Sequence, residues 1–262
     1  MCKELGEFAV DLDGRFSSIR TMETNLGNFV CDIMVAATNA DFALLNSGTL
    51  RSDTIHPAGP FFLKDLLQIL PMIDPVVLLE VTGKWIICII VTTVFAPNIL
   101  AIFYVVKSWQ YIYDIGPQII QCLENSVSQW PKLEGRFPQV SGINFAFDPT
   151  RSPGKRINPK LVKIGDEYID MGDEDEENLD NKDSKKERTY RMATKSYLAN
   201  GKDGYDVLAN AKVLIDEEEG PQLTYAVQNH FKALAMREGR TRRTSVHHQS
   251  LVTISRRYAK VL

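Results

Sequence analysis

The chain has 262 residues, 44% of them hydrophobic, with 30 basic and 33 acidic side chains and a net charge of −3. That length and apolar share bury one substantial core and leave no room for two full enzyme domains with tails. The charge gives no reason to expect nucleic acid as a partner, and four cysteines without close pairing suggest neither a zinc site nor a redox pair.

In chain order, the first eight residues carry acids where a secretion signal would have its apolar core, and the unpaired cysteines suit a reducing compartment, so a cytoplasmic location is expected. Thr24 and Asn25 read as caps of a helix near 25–37, in which Leu26, Phe29, Ile33 and Met34 share one apolar face. Arg20 stands just ahead of that helix. A short buried strand over 41–45 then runs into Asn46-Ser47-Gly48-Thr49-Leu50-Arg51. Ligands of α/β proteins sit at strand ends. Gly48 lets the backbone approach a ligand, Asn46 both donates and accepts, and the planar fork of Arg51 suits phosphate or carboxylate. The apolar spacing of 61–70 predicts a helix closed by Pro71, with Met72 at the mouth of a site.

A strand is expected over 76–81, followed by an uncharged stretch over 85–106 that is long enough to cross a bilayer. Further along, a helix near 119–127, strands over 143–147, 161–164 and 190–194, and a helix near 223–235 complete an α/β or α+β mixed sheet flanked by helices. Arg136 precedes a strand and either orients a binding loop or sits at the surface. Residues 166–187 are rich in acids and read as a mobile loop, and 236–262 form a basic tail in which His247 and His248 are solvated. The densest signal is Tyr197-Leu198-Ala199-Asn200-Gly201-Lys202-Asp203-Gly204-Tyr205, where two glycines permit a tight fold around a carboxylate and two flat rings. Of the two rings, Tyr205 reads as core.

Taken together, 23–28, 45–52, Leu70-Pro71, 79–84, 123–127, 139–142 and 197–205 resemble, in this order, the C-terminal domain of the 5′-nucleotidase family. The resemblance implies that Arg20 and Arg51 face a phosphate, Asn46 contacts the ring or ribose, Tyr197 stacks on the ring and Asp203 takes the ribose hydroxyls. It implies a nucleotide or another phosphate monoester as ligand. Two positions depart from the family pattern. Met72 stands where nucleotide-cleaving members place a second stacking aromatic, and Asn-Ser-Gly-Thr replaces a glycine run, which points to altered substrate choice.

In that family a metallophosphatase domain comes first and holds two metals with aspartates, histidines and an asparagine. His56, His230, His247 and His248 lie in no such setting, so no catalytic residue, metal ligand or cofactor is expected in this chain. The divalent metal pair would belong to the metallophosphatase domain of a longer form. The chain then reads as a substrate-recognition domain, a fragment or isoform inactive by itself. The alternative is a non-catalytic module that binds a phosphorylated metabolite or a partner protein.

The expected domain runs over 16–235, interrupted by a hydrophobic insertion at 85–117 and the acidic loop at 166–187. Without the insertion, Thr82-Gly83-Lys84 leads directly into the helix at Gln118. A true membrane span here would put the two halves of one core on opposite sides of a bilayer. The insertion is therefore read as retained non-coding sequence translated in frame, and mature transcripts without it are expected.

Overall fold

Uninterrupted apolar runs such as Phe42-Ala43-Leu44-Leu45 and Val76-Val77-Leu78-Leu79 suit strands covered on both faces, and as such they form the centre of the structure. A computed structural model describes residues 3–82, 118–169 and 189–237. In chain order it contains β1 (Glu4–Phe8), β2 (Leu12–Asp13), α1 (Phe16–Ile19), α2 (Asn25–Thr38), β3 (Phe42–Asn46), β4 (Ile55–His56), β5 (Gly59–Phe62), α3 (Leu63–Ile69) and β6 (Val76–Thr82). There follow α4 (Gln118–Val127), β7 (Pro138–Ser141), β8 (Ile143–Asn144), β9 (Lys163–Ile164), β10 (Glu167–Tyr168), β11 (Thr189–Lys195), α5 (Ser196–Ala199), β12 (Lys212–Ile215) and α6 (Leu223–Arg237).

The main sheet has five strands in the order β12-β6-β11-β3-β7. Within it β11 and β3 are parallel and the other neighbours are antiparallel, which gives the mixed sheet expected from the sequence. Alternation along β3 feeds two cores. Phe42 and Leu44 pack with Leu79, Leu123 and Tyr205 on the face covered by α4. Ala43 and Leu45 pack with Met34, Leu66 and Val227 on the face covered by α2 and α6.

The α2 start follows its sequence signal. Thr24 is the N-cap, and its hydroxyl accepts from Gly27 N at 3.2 Å. Asn25, expected as a cap, instead accepts from Asp13 N and donates to Asp11 O, tying the preceding loop down. At the other end Asn39 closes the helix in the left-handed region at φ 55.

Three expected elements are shorter than the pattern suggested. The helix over 61–70 covers only Leu63–Ile69, because Phe61 and Phe62 belong to β5 and pair with β1. Phe61 lies 4.8 Å from Phe8 and 5.5 Å from Phe231 between ring centroids, so aromatic packing outweighs the helical period there. The strand over 143–147 stops at Asn144. Its partner β9 has two residues, since Asn158 and Pro159 start a 3-10 turn that takes Leu161 out of the expected strand. Residues 170–188 and 238–262, which hold most of the acidic loop and of the basic tail, lie outside the described residues, as do 83–117.

The two ends of that last interval meet. Thr82 N donates to the side-chain oxygen of Gln118 at 3.1 Å, joining the last residue of β6 to the first of α4. The strand-to-helix junction is thus closed by described residues alone. Fusing Lys84 to Gln118 is expected to give a chain that melts cooperatively within about 5 °C of the parent, or above it, because a shorter closure costs less entropy. Loss of a cooperative transition by circular dichroism would contradict this.

Candidate functional site

Because β3 and β11 are parallel neighbours, their C-terminal ends open at the same edge of the sheet, with Met192 opposite Phe42 and Ala193 opposite Ala43. The turn after β3 therefore meets the turn after β11, although about 150 residues of sequence lie between them. All five side chains singled out from the sequence, Arg20, Asn46, Arg51, Tyr197 and Asp203, line one open cleft of about 710 Å³ at that edge.

The centre of the cleft is a hydrogen-bonded triad. Asn46 donates to Asp203 Oδ2 at 2.6 Å, and the Tyr197 hydroxyl donates to Asp203 Oδ1 at 3.1 Å. Thr49 in turn donates to Asn46 Oδ1 at 2.7 Å, which fixes the orientation of the amide. Desolvation, then the Asp203 contact, holds the Tyr197 phenol above its ordinary value, so it remains a donor. Each Asp203 oxygen retains acceptor capacity for a ligand hydroxyl.

Asp203 is presented by strained backbone. It has φ 56 between Gly201 at φ 75 and Gly204 at φ 80. Three contacts over-determine it: Asn46, Tyr197, and Asn125, which donates to the Asp203 carbonyl at 3.1 Å. A side chain at Gly204 would run into Asn125 Oδ1, so this glycine is dictated both by φ and by space. Arg136 donates to Asn125 Oδ1 at 3.2 Å. Of the two readings left open for it, the geometry supports the one in which it orients the loop. Tyr205 is fully buried, as expected of a core residue, and its hydroxyl donates to Arg136 O at 2.8 Å.

Two guanidinium groups flank the triad. Arg20 follows α1, lies 4.0 Å above the Phe16 ring and donates to Leu133 O at 2.9 Å. Its Nε is buried without a partner among the described residues. Burial first, then the positive charge of Arg51, lowers the Arg20 pKa from its ordinary value, against a smaller opposing effect of Asp53. Arg51 is exposed, and its side chain has no ion pair among the described residues. Two cations that repel each other across a cleft form a site for an anion. Gly48 also lines the cleft, but its lack of a side chain is first a packing matter: Gly135 backbone lies 3.2 Å from where a Cβ would be.

Sequence reading missed Lys195 and Asp74, which also line the cleft and form an ion pair at 2.8 Å. A lysine ending a strand of mixed polarity and an aspartate before a proline carry no pairing signal. Met72 and Ile73 also line the cleft, 40% and 79% exposed, so that segment brings no second aromatic to it. Among the described residues no group of three or more His, Cys, Asp or Glu side chains is placed to hold a metal ion, and no helix is long and apolar enough to cross a membrane. His247 and His248 lie outside the described residues.

Comparison with known proteins identifies the fold and the family. The family described as 5′-nucleotidase, C-terminal domain, matches residues 4–91 and 111–210, and the interruption between the two stretches falls inside 85–117. The trifunctional nucleotide phosphoesterase protein YfkN of Bacillus subtilis is 30% identical over 213 residues, which covers 80% of this chain and 11% of that protein. Protein UshA of Escherichia coli is 26% identical over 207 residues, covering 79% of this chain and 27% of UshA. Among solved structures, the 5′-nucleotidase precursor from Thermus thermophilus superposes with a TM-score of 0.64 at 27% identity, over 88% of this chain and 37% of that one. The chain thus spans less than a third of the length of these two curated relatives. With its sheet, its strand-end turns and most of its length matched, the chain belongs to the 5′-nucleotidase C-terminal domain family.

Proposed function

We propose that this chain is the substrate-recognition domain of a 5′-nucleotidase-type phosphoester hydrolase, with a nucleotide or a related phosphate monoester as its ligand. The observation that carries this reading is the pairing of Arg20 and Arg51, without a balancing carboxylate on Arg51 among the described residues, beside the Asn46-Asp203-Tyr197 triad in one cleft. The guanidinium groups take the phosphate, Asp203 takes sugar hydroxyls, Asn46 contacts the ring or ribose, and the exposed ring of Tyr197 stacks on the ligand's ring. The reading gives this chain recognition of the ligand and assigns it no hydrolytic step. Turnover belongs to a metallophosphatase domain in a longer form. The buried free thiols of Cys31 and Cys122, whose pKa values burial pushes up, suit a reducing compartment such as the cytoplasm.

Isothermal titration with adenosine 5′-monophosphate, ribose 5-phosphate and inorganic phosphate tests the reading. Tyr197→Ala is expected to weaken the nucleotide about tenfold more than ribose 5-phosphate, which loses only the hydroxyl's support of Asp203, since stacking on one aromatic is worth about 1–3 kcal/mol. Equal loss for both ligands would remove the stacking role. Turnover on adding a metallophosphatase domain in trans would mark a hydrolase component. Binding without turnover would mark a non-catalytic module for a phosphorylated metabolite.

A further inference from the structure

The Lys195 side chain is 3% exposed, and its ammonium lies 4.5 Å from the centroid of the ring of Tyr197, a residue that is 42% exposed. The lysine, although it reaches the cleft wall, is therefore covered while the tyrosine it touches is open: its ammonium occupies one face of the ring and the exposed remainder is left to a ligand. Asp74 holds the ammonium at 2.8 Å and is only 12% exposed at its side chain. A buried ion pair is a poor way to fill space, because well-packed apolar residues of similar volume are as stable or more so. Nor is the pair needed to fasten β11 to the segment before β6. Ser196 N already donates to Pro75 O at 3.0 Å, and β11 pairs with β6 from Thr189 to Lys195.

What an apolar filler would not supply is a positive charge behind an aromatic face. A cation on one side of a ring draws on the same quadrupole that would attract a second cation on the other. We propose that Lys195, held by Asp74, is a positioning and specificity-determining residue that acts through Tyr197: it fixes the ring from behind and biases its open face toward neutral rings and against cationic ones. The preferred ligand is then a phosphate monoester carrying a neutral heterocycle, and one carrying a pyridinium ring is disfavoured. The inference rests on Tyr197 stacking on the ligand as proposed above.

The test compares two phosphate monoesters of matched outline, nicotinamide mononucleotide with its cationic ring and benzamide riboside 5′-monophosphate with a neutral one, using ribose 5-phosphate as the control without an aromatic ring. In the full chain the neutral ring is expected to bind about tenfold tighter. Lys195→Met combined with Asp74→Leu, which removes both charges and leaves no buried carboxylate unpaired, is expected to cut the ratio to about twofold or less, any general change in the cleft being read from ribose 5-phosphate and shared by both ringed ligands. Lys195→Arg, which keeps a cation behind the ring, is expected to restore it. A residue with a merely structural role would alter thermal stability and leave the ratio alone. A ratio near one in the unaltered chain, which needs no variant to fold, overturns the proposal, as does a ratio that survives the double substitution. If ribose 5-phosphate does not bind at all, the phosphate-ester reading fails and this one with it.

Discussion

Arg51→Gln is expected to lower the affinity for a phosphate monoester by about 10- to 100-fold while leaving thermal stability unchanged or slightly raised. The loss follows from the strength of charge-assisted hydrogen bonds, about 1.5–3 kcal/mol each, and from the bidentate fork that a neutral amide cannot reproduce. The absence of a stability cost follows from the surroundings of the side chain. Arg51 is exposed, has no ion pair among the described residues, and its charge lowers the pKa of the half-buried Arg20 beside it. Removing it relieves a repulsion and breaks no side-chain bond among the described residues. That combination, weaker binding with equal or better folding, separates a residue kept for a ligand from one kept for the fold. Titration with ribose 5-phosphate and a thermal melt of the same preparation measure both. A variant that binds normally would show that the anion lies elsewhere, and one that melts about 5 °C lower would show that Arg51 is part of the scaffold.

The same distinction explains how much of the site could be read from the sequence. Asn46, Gly48 and Arg51 announce themselves because a buried strand ends in small polar residues. Gly201 and Gly204 do so because only glycine takes their backbone angles freely, and Asp203 between them is then conspicuous. What no local pattern shows is that β3 and β11 lie side by side and parallel, which alone makes Asn46 and Asp203 partners across 157 positions of sequence. Lys195 was invisible for a related reason. A lysine ending a strand is ordinarily a solvated one, and only the fold shows that Asp74 and the Tyr197 ring enclose it. The overextended helix at 61–70 is the opposite case: Phe61 fits the helical period, but its ring is committed to the Phe8 and Phe231 cluster. Local period names faces; it does not name the partner that wins them.

The largest effect on folding is expected from Gln139→Leu, at about 3–5 kcal/mol. Gln139 is recognisable in sequence only as part of a short motif, yet it is fully buried on β7 and uses every polar atom of its side chain. Its oxygen accepts from Thr24 N at 3.0 Å, and its amide donates to Ile19 O at 2.9 Å and to Met22 O at 2.8 Å. These bonds join the edge of the sheet to the N-cap of α2 and to both flanks of Arg20. Leucine is of similar bulk but leaves a backbone N–H and two carbonyls without partners, each costing about 1–3 kcal/mol when buried, less than additively. The space is committed as well, since a side chain at Gly27 would overlap the Gln139 amide, so Gly27→Ala is expected to break the same knot from the other side. The consequence reaches the ligand. With Ile19 and Met22 released, Arg20 loses its fixed position over Phe16, and phosphate affinity should fall even at temperatures where the variant is folded. Urea denaturation should show a lower midpoint with an unchanged slope, the mark of lost stability without a change in exposed surface. A loss below about 1 kcal/mol would mean that water replaces the amide at this junction, and Arg20 would then owe its placement to Phe16 and Leu133 alone.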